Sequence, residues 1–202
     1  MFKRWMTMVI ASLALAAGVA RAEPAPDFIG KISTEVIEFV KADKAIQAGD
    51  TQKIIQLVDA KILPHVNFRR MTASTVGPAW RKATPEQQQR LQEEFKVLLV
   101  RTYAGALSQV KDQSVELKPF RGKAEDADVV VRTEVKGSGQ PIQLDYRMEK
   151  DGEAWKIYDV NVLGVWLVSS YRSSFSQEIN AGGLDGLISK LAEKNKSAGN
   201  KS

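Results

Sequence analysis

The sequence predicts an α+β fold, with a four-stranded antiparallel sheet in the middle of the chain and helices from both ends covering it. Three observations carry this. Apolar residues recur at three and four through the first half, the period falls to two between Ser114 and Val162, and it returns to three and four after Gly164. A sheet with one apolar face must be covered, and these amphipathic helices are available to cover it.

The chain opens with a secretion signal. Lys3 and Arg4 precede an apolar core from Met8 to Val19 and the small-x-small site Ala20-Arg21-Ala22. The apolar core is short of the ~20 residues that span a bilayer, so cleavage after Ala22 and release into the periplasm are expected. About 180 residues then remain, a length that suits one domain with a sizeable core. Lys3, Arg4 and Arg21 leave with the signal, so the net charge of +5 falls to about +2. That balance argues against nucleic acid, which requires a basic stripe to neutralise phosphates. With no cysteine and the single histidine His65, thiol nucleophiles, disulfides and histidine-cysteine metal clusters are excluded. The division is residues 1–22 as signal, 23–193 as one domain, and 194–202 as a disordered polar tail.

Asp27 is expected to cap a first helix carrying Ile29, Ile32, Val36, Phe39 and Val40 on one side. Asp50 is expected to cap a second, running through Ile54, Leu57 and Ile62 to Pro64. Asn67 precedes a short turn or helix, Phe68 to Met71. Thr84-Pro85-Glu86-Gln87 combines a threonine cap, proline at the first helical position and glutamine at the capping-box position. The long helix that follows carries Leu91, Phe95, Leu98, Leu99, Tyr103 and Leu107 in one stripe.

In the sheet, Val129, Val131, Thr133 and Val135 alternate with polar or outward positions, as do Ile142, Leu144, Tyr146 and Met148. Gly137-Ser138-Gly139 separates these two strands, and Asp151-Gly152 turns into a third, Trp155 to Val162. Val115 to Phe120 supplies the strand in front. A last helical stretch carries Leu167, Val168, Tyr171, Phe175 and Ile179, stops at Gly182-Gly183, and is followed by a short helix through Leu191.

Helices over an apolar sheet face can form a solid core, or stand apart and leave a cavity for an apolar ligand. Periodicity alone leaves both open. His65, without an acid at helical spacing, reads as a satisfied structural side chain. Glu125, Asp126 and Asp128 read as a solvated turn. Arg69-Arg70 and Arg81-Lys82 flank Trp80 and either coat the surface or rim a cavity mouth. An enzyme would need Tyr103, Tyr146 or Tyr171 as proton donor with Asp145 or Asp159 as base; alternation puts Asp145 outward, and a bulge between Ile157 and Val160 decides Asp159. A holdase chaperone would expose its apolar surface instead of enclosing it.

Several stretches taken in order resemble the MlaC family of periplasmic phospholipid-binding proteins, also called toluene-tolerance auxiliary proteins. They are Phe68-x-x-Met71, Val76-Gly77-x-x-Trp80-Arg81, Thr84 to Gln87 leading to Phe95, Leu98-Leu99 and Thr102-Tyr103, Trp155 to Val160, and Gly164-Val165-x-Leu167-Val168-x-x-Tyr171-Arg172-x-x-Phe175. The resemblance implies a twisted sheet and helices enclosing the acyl chains of a diacyl phospholipid, with no cofactor. It also implies partners: an inner-membrane ATP-driven complex with an MlaD-type ring, and an outer-membrane MlaA-type lipoprotein with its porin. The expected lining is Val129, Val131, Thr133, Ile142, Leu144, Tyr146 and Met148 on the strands and Leu99, Tyr103 and Leu107 on the facing helix. Phe68, Met71, Trp80, Trp166, Tyr171 and Phe175 are expected at walls or mouth. Trp166 stands where the family often has a small polar residue, and is expected to narrow or plug the cavity.

Overall fold

The structure, a computed structural model, describes residues 23–123 and 125–199; the expected signal and its cleavage site lie outside the described residues. Helix α1 (Ala25–Ala42) starts two residues before Asp27, with Pro24 as its cap, so Asp27 acts in the first turn, where its charge meets the positive end of the helix dipole. A four-residue helix α2 (Lys44–Gln47) is capped by Asp43, and α3 (Thr51–Leu57) by Asp50, whose carboxylate accepts the N–H groups of Gln52 at 2.9 Å and Lys53 at 3.1 Å. A π turn (Val58–Ile62) and a 3-10 turn (Leu63–His65) follow before Asn67 caps α4 (Phe68–Val76). The capping box at Thr84 forms as the sequence predicts, with both reciprocal bonds present, and opens α5 (Pro85–Ser108).

The sheet is an open antiparallel meander of five strands in sequential order: β1 (Ser114–Leu117), β2 (Asp128–Lys136), β3 (Ile142–Asp151), β4 (Ala154–Val162) and β5 (Val165–Trp166). The expected count of four is corrected to five, because a two-residue strand is too short to alternate visibly. Its turn is tight: Leu163 and Gly164 both take positive φ, 52° and 90°. Helix α6 (Leu167–Gly199) is interrupted at Gly183, where φ 69° and ψ −167° make the expected break. It continues past the predicted start of the disordered tail. Asn195 is buried, and its amide donates to the carbonyl of Glu94 at 2.9 Å and to its carboxylate at 2.7 Å, which anchors the last turns on α5.

Three separate apolar cores result. Phe95, Leu91, Leu98, Trp80, Phe175 and Leu187 join α4, α5 and α6. Ile29 of α1 packs on Val129, Val131, Met148, Trp155 and Ile157 of the sheet. Val40, Ile46, Ile54, Leu57, Val100 and Ala104 join the end of α1 to α2, α3 and α5. Among the described residues no helix is long and apolar enough to cross a membrane.

Candidate functional site

The strand register turns the inner face of the sheet into rows. Val129, Met148 and Ile157 form the first, Val131, Tyr146 and Val160 the second, Leu117, Thr133, Leu144, Val162 and Val165 the third, and Val115, Val135 and Ile142 the fourth. Burial falls along this series. The first row is sealed under α1, and the second is sealed at Val131 and half-buried at Tyr146 and Val160; in the third Thr133 is still fully buried, Leu144 and Val162 are half-buried and Val165 and Leu117 reach 53% and 38% exposure, and in the fourth Ile142 reaches 38%. The inner face is thus an apolar trough, closed at one end and open at the other.

Helix α5 contributes to the two helical cores and not to the core under the sheet. At about 100° per residue, Leu99, Tyr103 and Leu107 lie between the side carrying Leu91, Phe95 and Leu98 and the side carrying Val100 and Ala104. The first side packs against α4 and α6, the second against α2 and α3. All three stripe residues are half-buried. Tyr103, Leu144 and Val162 belong to none of the three cores.

Two phenols are held in this region. Burial pushes the Tyr146 hydroxyl well above its ordinary pKa, although hydrogen bonds with Thr133 of β2 and Ser33 of α1 act in the opposite sense. Burial, and then the neighbouring Tyr171, raises Tyr103 likewise. Both are neutral phenols at neutral pH, polar at one atom and apolar over the ring.

Thr133, Ile142, Leu144 and Tyr146 thus share the inner face of the sheet, while Leu99, Tyr103 and Leu107 share one stripe of α5. Val129, Val131 and Met148 face the same way but are sealed in the α1–sheet core, below the accessible rows. Trp80 and Phe175 are corrected to the helical core, with Tyr171 packed against it, its ring 5.3 Å from Phe95. Trp166 is corrected to the opposite face. It pairs with Asn161, and the Arg147 guanidinium stacks 4.0 Å from its ring centroid, so the indole neither narrows nor plugs the trough. Val160, Val162 and Val165 share the inner face of the sheet as well. Alternation past the bulge carries them: β4 inserts Tyr158 between Ile157, opposite Met148, and Asp159, opposite Arg147, which returns Val160 to the inner face.

The same bulge turns Asp159 outward. It is buried there, accepting Arg147 Nη1 at 3.1 Å and the backbone N–H groups of Val160 at 2.9 Å and Val168 at 3.0 Å. Asp145 also faces outward, beside Gln143 and Arg132, and is buried despite its place on the polar face. The hydrogen bonds of both carboxylates go to other groups, and Asp145 acts on Tyr146 through its charge alone. His65 packs edge-on to Phe28 with centroids 5.4 Å apart, and burial followed by Lys156 lowers its pKa.

The basic pairs do not rim the trough. Arg70 is bound to Asp128 and Glu149 and stacks on Tyr158, whose pKa is pushed up to about 12 by burial and its bond to Asp128. Arg81 and Lys82 are exposed just before α5 begins, and Leu99 lies about 21 Å farther along that helix at 1.5 Å per residue. Two surface concavities of about 480 and 360 Å³ lie elsewhere, one around Arg101, Ala48 and Thr51 and one around Lys118, Arg132 and Gln143.

These features define an α+β domain whose open five-stranded sheet offers an apolar inner face, sealed under α1 at one end and exposed at the other. The chain belongs to the MlaC family: the family model described as MlaC protein matches residues 30–193. It is similar to the toluene tolerance protein ttg2D of Pseudomonas putida, 28% identical over 183 residues that cover 86% of this chain and 84% of that one. It is also similar to the intermembrane phospholipid transport system binding protein MlaC of Haemophilus influenzae, 22% identical over 198 residues, covering 95% and 92%. Among solved structures it resembles a phospholipid-binding protein from Ralstonia solanacearum in complex with a phospholipid, with a TM-score of 0.85 and 44% identity over 88% of this chain and 99% of that one.

Proposed function

We propose that this protein is a soluble periplasmic carrier of diacyl phospholipid, moving it between the outer and inner membranes and so maintaining outer-membrane lipid asymmetry. The observation that carries the reading is the apolar inner face of the sheet, sealed at one end and exposed at the other, in a chain 44% identical to a protein solved with a phospholipid. The partners follow from the family: an inner-membrane complex with an MlaD-type ring, and an outer-membrane MlaA-type lipoprotein with its porin.

The task is set by water. Burying a methylene stabilises by about 0.8 kcal/mol, so two acyl chains of roughly thirty methylenes represent on the order of 24 kcal/mol of exposure. A trough that resembles the bilayer interior nearly cancels this cost, with no covalent step and no cofactor. Affinity has to match the membranes on either side, because a carrier that holds lipid far more tightly than its recipient cannot release it.

Native mass spectrometry of gently purified protein, followed by lipid extraction, tests this reading. Bound diacyl phospholipid in proportions resembling the host membrane is expected. Protein that emerges empty and takes no phospholipid from vesicles would overturn the reading.

A further inference from the structure

We propose that Tyr146 is the floor of the trough and sets the length of acyl chain it accepts. The inference rests on the carrier reading and adds a selectivity to it. Three observations meet at this residue. Beyond it, the row of Val129, Met148 and Ile157 is sealed under Ala25 and Ile29 of α1. Before it, Leu144 and Val162 are half-buried beside the buried Thr133, and Ile142 is 38% exposed. Its own ring stands at the boundary, half-buried and packed against the sealed α1–sheet core.

The dimension fits. From Ile142 at the open end to Tyr146 is four residues of one strand, about 14 Å at ~3.4 Å per residue. A bilayer's hydrocarbon core is about 30 Å thick, so one leaflet gives an acyl chain about 15 Å. A chain of leaflet length therefore reaches from the mouth to the phenol and stops. Each methylene of a longer chain left in water weakens binding by about fourfold.

The test loads the full-length mature protein from vesicles made of an equimolar series of phosphatidylcholines whose saturated chains increase in steps of two carbons. Mass spectrometry then identifies the lipid taken. The parent is expected to favour one length several-fold over its longer neighbours. Tyr146→Ala should shift the preferred length upward, and Leu144→Phe, which raises the floor, should shift it downward. Tyr146→Leu replaces the alanine variant if that protein does not fold, and should shift the preference the same way. Variants that load normally but keep the parent's distribution would overturn the role of Tyr146 while leaving the carrier reading intact. A parent that takes up none of the series would overturn both.

Discussion

The carboxylate of Asp159 accepts the backbone N–H of Val168 at 3.0 Å, so a buried residue of β4 satisfies an otherwise orphaned donor in the first turn of α6. The same carboxylate holds Arg147, which stacks on Trp166. One side chain thus joins the sheet to the helical layer on the face away from the trough.

Removing that joint should be costly. Asp159→Ala leaves Arg147 and the Val168 N–H without their partner and is expected to destabilise by about 3 to 5 kcal/mol, measured by urea unfolding. Burial raises the pKa of Asp159 above its ordinary 3.8 despite these bonds. A carboxyl raised in the folded state contributes stability at low pH that is lost as the pH rises from 3.8 through the folded value. The parent should therefore gain stability relative to Asp159→Asn on acidification across that window, and a stability difference independent of pH would contradict the assignment.

Leu163 carries the opposite expectation. It is the non-glycine residue with positive φ among those described, at 52°, and it is 63% exposed. The left-handed conformation costs an ordinary residue about 1 to 2 kcal/mol, and asparagine tolerates it better. Leu163→Asn should raise stability by about 0.5 to 1 kcal/mol, visible as a higher melting temperature. No change or a decrease would mean that the leucine makes a contact outweighing its strain.

Two tryptophan substitutions should separate trough from core. Val131 is sealed between α1 and the sheet, so Val131→Trp should overpack and destabilise by about 1 to 3 kcal/mol. Leu144, half-buried and outside every core, should accept the larger ring with little loss of stability while the amount of bound lipid falls. Equal destabilisation by both, with lipid retained, would indicate a solid interior.

The C-terminal end offers a further check. Deleting residues 194–202 removes Asn195, which donates to both the carbonyl and the carboxylate of Glu94. A loss of about 1 to 2 kcal/mol is expected from the unpaired buried acceptors. A truncated protein as stable as the parent would return this segment to the dispensable tail that its polar composition suggests.

Much of the fold was legible because local chemistry and global structure agree. The capping box at Thr84, the cap at Asp50, the hairpin at Gly152 and the break at Gly183 are each decided by a few adjacent residues, and each stands where the sequence puts it. The trough was half legible. Alternation gives the inward face of β2 and β3 correctly, but it cannot tell that α1 seals Val129 and Met148 while Leu144 stays accessible, because that depends on where a distant helix lands. Trp166 was misread for a related reason. Two residues cannot reveal a strand, and without β5 nothing in the sequence puts the indole on the outer face beneath Arg147. Asn195 looked like part of a solvated tail because its partner, Glu94, is far away in the chain.

The central claim is that acyl chains lie between the inner face of the sheet and α5. The most direct measurement is paramagnetic broadening of assigned methyl resonances in protein loaded with a phospholipid spin-labelled on one acyl chain. The account predicts strong broadening at Leu99, Leu144 and Val162, with the methyls of Ile54 and Leu57 in the α1–α3–α5 core unaffected. Broadening confined to exposed residues such as Leu163, or absent from Leu144 and Val162 while lipid remains bound, would contradict it.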